Sequence, residues 1–180
     1  MYLTRRWRVR SAFTLIELVT VITILGIVAV FVGGPTLSYM DSMRSRAAAS
    51  RLAGDIRYVQ RMALSSGRRT WVVLDTGANN YQLYVQDPAS QGTANPKANR
   101  QPVLHPLDQS TNAVQFGSGP FANVSISSVN IGGTSELEFR NLGDPYDGNE
   151  KVLTFKADIT LSSGVTITIY PVGGFVERAG

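Results

Sequence analysis

The sequence predicts an α+β protein in which one long N-terminal α-helix is followed by a domain of antiparallel β-sheets. Leu18 to Met40 is a run of 23 residues without a charge. Leu52, Ile56, Val59 and Ala63 then step by four, three and four, which lays one apolar stripe along a helix. From Arg69 onward apolar residues alternate with polar ones in short runs separated by glycine, proline and asparagine. That is the pattern of half-buried strands.

The charge-free run comes first. At about 1.5 Å per residue it reaches about 35 Å, enough to cross a hydrocarbon core of about 30 Å. A cleavable secretory signal has a shorter apolar region that ends in small residues. Here the run is longer, and the small residue Ala12 stands before it. Arg5, Arg6, Arg8 and Arg10 precede the run and few charges follow it. That asymmetry puts the N-terminus in the cytoplasm and the rest of the chain on the other side of the membrane. The expected span is about 18–40. Glu17 at its edge is costly in an apolar medium unless a cation meets it.

Beyond the span, 41–66 is expected to form an amphipathic stem. Ala47, Ala48 and Ala49 are strong helix formers, and Gly67 after two serines reads as a stop. A helix over 13–68 would be about 80 Å long. Gly33, Gly34 and Pro35 are the expected kink between its halves. Arg44, Arg46, Arg51, Arg57 and Arg61 are expected on the solvated faces of the stem.

The head is expected over 69–180. Trp71–Leu74 and Tyr81–Val85 read as a hairpin around the turn Asp75–Asn80. The segment 87–108 carries Pro88, Pro96, Pro102 and Pro106 and reads as a long, mobile, proline-rich surface loop. Further strands are expected at Val114–Phe116, Val124–Ile131, Ser135–Arg140, Lys151–Lys156 and Val165–Tyr170, with a last one near Phe175–Glu177. Sheets of this kind would pack on one another and on the apolar stripe of the stem.

Composition excludes several chemistries. With no cysteine there is no disulfide framework or thiolate metal site, and the one histidine, His105, lies in the proline-rich segment. Nothing forms a catalytic constellation or calls for a cofactor, so the chain is not read as an enzyme. Asp144, Asp147 and Glu150 are weak metal candidates because hard cations take carboxylates, but their spacing is that of a turn. The net charge of +4 includes the four arginines before Phe13. From Asp41 to Arg69 seven arginines face two aspartates, while Thr70 onward is net acidic, with six basic residues against ten acidic. Arg68, Arg69, Lys97 and Arg100 are weak nucleic-acid candidates. The balance as a whole argues against a nucleic-acid partner.

Ala12-Phe13-Thr14-Leu15-Ile16-Glu17-Leu18, behind a basic leader and ahead of a long apolar run, resembles the class III signal of type IV pilins and type II secretion pseudopilins. The resemblance implies a leader over 1–12 that a prepilin peptidase cuts between Ala12 and Phe13. It implies N-methylation of Phe13 and a role for Glu17 in docking subunits into a filament. Alanine stands where the family usually has glycine, and Pro35 lies about one residue later than the family's kinking proline. The stretch Arg51–Gly67, with Glu136–Gly143 and Gly164–Val176, is similar to the GspH/FimT family, the H-type minor pseudopilins and related minor pilins. The implied fold is pilin-like. The implied function is that of a structural subunit of the type II secretion pseudopilus, with a FimT-like minor pilin of a type IV pilus, in assembly or DNA uptake, as the alternative. Implied partners are other pseudopilins or pilins, the prepilin peptidase, the inner membrane and secreted cargo. The head would lie in the periplasm. The tail after Gly174 lacks the paired arginines that a DNA-binding member would show.

Overall fold

A computed structural model describes residues 13–92, 95–104, 111 and 113–180, with the side chains of 30–38 outside the description. The leader, Ala12 and His105 therefore lie outside the described residues. The chain divides into two compact units, Met1–Tyr39 and Met40–Gly180.

In the first unit, α1 (Leu15–Ser66) begins immediately after Thr14 and is helical through Gly33, Gly34 and Pro35. Its described apolar side chains point outward all round, from Leu15 to Val28. The hydroxyls of Thr20 and Thr23 turn back onto the carbonyls of Ile16 and Val19, each at 2.7 Å. Threonines in an apolar stretch thereby satisfy themselves within the helix. Among the described residues no helix is long and apolar enough to cross a membrane. The side chains of residues 30–38, inside the expected span 18–40, lie outside the description.

The second unit holds the rest of α1 and ten strands. A six-stranded antiparallel sheet runs in the order β3 (Arg100–Pro102), β2 (Asn80–Gln86), β1 (Thr70–Asp75), β6 (Glu136–Phe139), β7 (Pro145–Asp147), with β4 (Ala113–Gln115) also on β2. A four-stranded sheet runs β10 (Val176–Ala179), β9 (Thr166–Ile169), β8 (Ala157–Leu161), β5 (Ile126–Asn130). The β1–β2 hairpin pairs in register from Thr70↔Val85 to Asp75↔Asn80, as its alternation predicts. Its turn closes on the Asp75 carboxylate, which accepts from the N–H groups of Gly77 and Ala78.

The core forms where α1 meets both sheets. Ala48, Ala49, Leu52, Ala53, Ile56, Val59 and Ala63 are buried, so the expected stripe is the packing face. Alanine at four of these positions lets the strands approach the helix backbone closely. Val72, Leu74, Tyr81, Leu83, Leu137 and Phe139 come from the larger sheet; Ile159, Leu161, Ile167 and Ile169 come from the smaller one. Each of these large side chains contributes about 1.5–3 kcal/mol on burial.

Polar contacts fix the register of helix on sheet. The Thr70 hydroxyl donates to the Val59 carbonyl at 3.0 Å, and the Tyr81 hydroxyl donates to Asp55 at 2.7 Å. Arg51 also reaches Asp55, at 3.0 Å. On the side of the smaller sheet Arg57 donates to the Val176 carbonyl at 2.7 Å, and Arg178 donates to Ser50 at 2.6 Å. Arg51 and Arg57 are exposed, as expected of the stem arginines, and Arg57 in addition tethers the helix to the smaller sheet. The helix ends at Gly67, whose N–H closes on Ala63 with φ of 66°, a left-handed cap that glycine adopts without strain.

Three expectations are corrected. Lys151–Lys156 is not a strand; only Val152 makes an isolated bridge, to Tyr146. Of its apolar residues only Leu153 enters the core, while Val152 is 51% exposed and Phe155 83% exposed. The strand is the next segment, Ala157–Leu161, where Ala157, Ile159 and Leu161 alternate inward. Residues 87–108 are not one irregular mobile loop. The segment opens with a 3-10 turn at Pro88–Ser90, capped by the Asp87 side chain, and Arg100–Pro102 pairs with β2. Pro106 falls outside the described residues. The turn 144–150 likewise contributes β7 to a sheet.

Tyr81 supplies a test of the helix–sheet tether. Burial first, and the Asp55 carboxylate second, push its hydroxyl well above the usual tyrosine range. A group with a raised folded-state pKa contributes fully below its unfolded value, about pH 10, and loses that contribution as pH rises further. Tyr81→Phe should cost about 1 kcal/mol at neutral pH and flatten the alkaline loss of stability. Asp55→Ala should cost about 2 kcal/mol, because it strands the buried Tyr81 hydroxyl. Thermal unfolding of the full chain in detergent, from pH 7 to 11, reads both.

Candidate functional site

The start of α1 is the first candidate. Thr14 stands at the N-cap, and its hydroxyl accepts the Glu17 N–H at 3.3 Å. Threonine followed three residues later by glutamate is a capping pattern that can be found in the sequence itself. The helix begins where Thr14 offers this cap, which places Glu17 in the first turn, near the positive end of the helix dipole. Among the described residues no cation pairs with the Glu17 side chain, and Phe13 and Glu17 are both exposed. The end of the helix thus presents an aromatic residue, a carboxylate and a ring of exposed aliphatic side chains.

The basic candidates in the head are tied to carboxylates of the larger sheet. Arg69 pairs with Glu138 at 3.3 Å and with Glu150 at 3.2 Å. Arg140 pairs with Glu138 at 2.7 Å and lies 3.8 Å from the centroid of the Tyr146 ring. Lys97 and Arg100 share Glu136, and Arg100 also lies over the Tyr84 ring at 4.5 Å. Arg68 donates to the Gln86 carbonyl at 3.2 Å. The four candidates therefore do not form one patch of free cations. Glu138, buried between two arginines, was not singled out from the sequence. Its signal is the run Glu136-Leu-Glu-Phe, whose alternation puts both glutamates on the face turned away from α1.

That face is an outer layer with its own chemistry. Cross-strand register sets Tyr84, Trp71, Glu138 and Tyr146 in one row over β2, β1, β6 and β7. The segment around Pro96, Lys97 and Arg100 is drawn onto this row by the Glu136 pairs, and Pro96 is buried there. Trp71 is buried, and its indole N–H has no hydrogen-bond partner among the described residues. An ion-pair layer of this kind orders a connection that turn residues alone would leave loose.

The acidic candidates are not brought together. The Asp147 carboxylate is buried and accepts from the N–H groups of Asn149 and Lys151, each at 2.9 Å, bracing its own turn. Glu150 points to Arg69 and Arg140. Asp144 makes no ion pair among the described residues. No group of three or more carboxylates or histidines among the described residues could hold a metal ion.

Glu138 gives the test of this layer. Glu138→Gln keeps the shape but removes the charge that Arg69 and Arg140 share, and should cost about 2–4 kcal/mol. Protease susceptibility near 87–100 should rise with it, as read by limited proteolysis and mass spectrometry of the full chain.

Comparison with known proteins fits this division into two units. Residues 7–33 match the prokaryotic N-terminal methylation motif, and residues 48–177 match the family model described as Type II transport protein GspH. No curated protein matches the chain. Two solved structures of the minor pseudopilin EpsH from the Type 2 Secretion System of Vibrio cholerae share the fold. One aligns with a TM-score of 0.53 at 10% identity, covering 76% of this chain and 97% of its own. The other aligns with a TM-score of 0.54 at 11% identity, covering 76% and 96%. The type IV minor pilin FimU of Pseudomonas aeruginosa aligns at 0.49 and 12% identity, covering 79% of this chain and 92% of its own. The GspH match runs from the buried half of α1 to β10, through the packed unit described above. The chain belongs to the Type II transport protein GspH family and is a minor pseudopilin that carries the prepilin methylation motif.

Proposed function

We propose that this pseudopilin is held in the inner membrane by the first half of α1, with its head in the periplasm, until it is processed and moves into a filament. A prepilin peptidase cuts between Ala12 and Phe13 and methylates the new amino group of Phe13. Residues 18–40 serve as the anchor before assembly and as part of the filament core afterwards, with Gly33, Gly34 and Pro35 as the place where the helix bends or loosens. The leader arginines leave with the leader.

The observation that carries this reading is the end of α1. A single carboxylate, Glu17, stands in the first turn of a helix that is apolar all round, and no cation among the described residues meets it. Leaving a carboxylate unpaired in apolar surroundings costs several kcal/mol, so a partner is required once stems pack together. The amino group of Phe13 on a neighbouring subunit supplies the opposite charge at the same depth. The work of the protein is therefore assembly, and its partners are other filament subunits, with cargo meeting the filament through the heads.

Mass spectrometry of the mature N-terminus tests the processing step. The expected chain begins at N-methylated Phe13. Ala12→Gly, which restores the family's usual residue, should raise the processed fraction. A mature chain that begins at Met1 overturns the reading.

A further inference from the structure

Most cations of the head are bound within it. Lys97, Arg100 and Arg140 pair with carboxylates, and Arg178 is bound to α1. Lys151 and Lys156 have no carboxylate partner among the described residues. Both bracket the segment whose apolar residues predict a strand but which the fold leaves outside its sheets. Its Phe155 is 83% exposed.

Beside it stands the turn after β9. Val172 is 86% exposed and Phe175 is 63% exposed. With Phe155, Lys156 and Tyr170 they line a groove of about 450 Å³. The turn is built to hold them there. Gln60 on α1 donates to the carbonyls of Gly173, at 2.8 Å, and Gly143, at 3.0 Å. A Cβ on Gly174 would stand 2.6 Å from the Gln60 amide and 2.8 Å from the Phe139 ring, and φ is 60°. The exposed apolar residues are thus displayed by a fixed turn. The Lys156 ammonium lies 4.6 Å from the centroid of the Tyr170 ring. The Tyr170 hydroxyl donates to Glu177 at 2.6 Å. The cation stands at the wall of an apolar groove, with capacity for a carboxylate left over.

We propose that this groove docks the head of a neighbouring filament subunit through a segment that offers an apolar side chain next to a carboxylate. Contiguous exposed apolar surface with a charged rim marks a protein contact, and aromatic residues in such a groove supply most of the binding energy. Charge complementarity selects an acidic segment, since the one cation lining the groove is Lys156, which donates to the Tyr170 hydroxyl at 3.5 Å but has no carboxylate partner among the described residues. A neighbouring subunit rather than cargo is the occupant because stems that pack together in a filament bring the head of one subunit against the next. The inference rests on the filament reading above.

The test uses the full chain in secretion-competent cells, with a photo-crosslinking phenylalanine analogue at position 155 or 172 and, as control, at the exposed turn residue Thr76. Positions 155 and 172 are so exposed that replacement leaves the core intact, and protease resistance of the head checks this. The expected products from 155 and 172 are adducts with another subunit that bears an N-terminal methylation motif. Lys156→Glu should lower their yield about tenfold, as loss of one charge pair at an apolar contact does. Adducts no more abundant than from Thr76, adducts only with lipid, a secreted protein or a second copy of this chain, or a yield unchanged by Lys156→Glu overturn the proposal. Recovery of the chain in isolated filaments is measured in parallel. Presence there without adducts rejects the groove alone, whereas absence from filaments rejects the filament reading with it.

Discussion

The second unit depends on one constraint, the complete burial of one face of α1 between two β-sheets. That face, from Ala48 to Ala63, is built largely of alanine, with Leu52, Ile56 and Val59 as its large members. Small residues let strands of both sheets approach the helix backbone, which is why polar contacts such as Thr70 to the Val59 carbonyl can form there. The sheets do not wrap the helix at a distance; they are fastened to it. Asp55 and Arg57, less than a turn apart, take hold of opposite sheets. A head fixed in this way moves with its stem, as a filament subunit must if a force on the stem is to reach the surface of the head.

Charge is handled differently in the two units. In the head most of the described cations are answered from within, Lys151 and Lys156 being without a carboxylate partner among the described residues. Glu138 holds two arginines and Glu136 holds Lys97 and Arg100, and together they close the segment around Pro96 onto the outer face of the larger sheet. The overall basicity of the sequence therefore says little about partners. At the start of α1 the reverse holds, since Glu17 has no described cation to meet. A charge that a chain leaves unanswered in apolar surroundings points to another molecule. Lys156, beside Phe155 and Val172, is the counterpart on the head.

Much of this was legible in the chain. The apolar stripe Leu52, Ile56, Val59, Ala63 named the packing face of the helix, and the alternation of Trp71–Leu74 and Tyr81–Val85 named the central hairpin. Gly67 ended the helix where expected. Legibility failed where tertiary contact outvoted local pattern. Val152, Leu153 and Phe155 have the composition of a strand, yet the strand is Ala157–Leu161, where Ala157, Ile159 and Leu161 alternate inward between Asp158 and Thr160. Prolines in 87–108 suggested an irregular loop; carboxylates nearly forty residues away order part of it. The arginines of the stem are exposed as expected; the Arg51–Asp55 pair follows from i,i+4 spacing, whereas the Val176 carbonyl that Arg57 reaches lies 119 residues away and could not be assigned from spacing. At the candidate site Glu17 was legible from its isolation in an apolar run. The capping role of Thr14 is present in the sequence as well, as a threonine three residues before Glu17.

The central claim is that Glu17 acts between subunits rather than within its own chain. The most direct measurement replaces it by alanine and compares processing, membrane retention and incorporation into isolated filaments with those of the unaltered chain. The account predicts a Glu17→Ala chain that is cut and retained in the membrane but absent from filaments. Normal incorporation of that chain would contradict it.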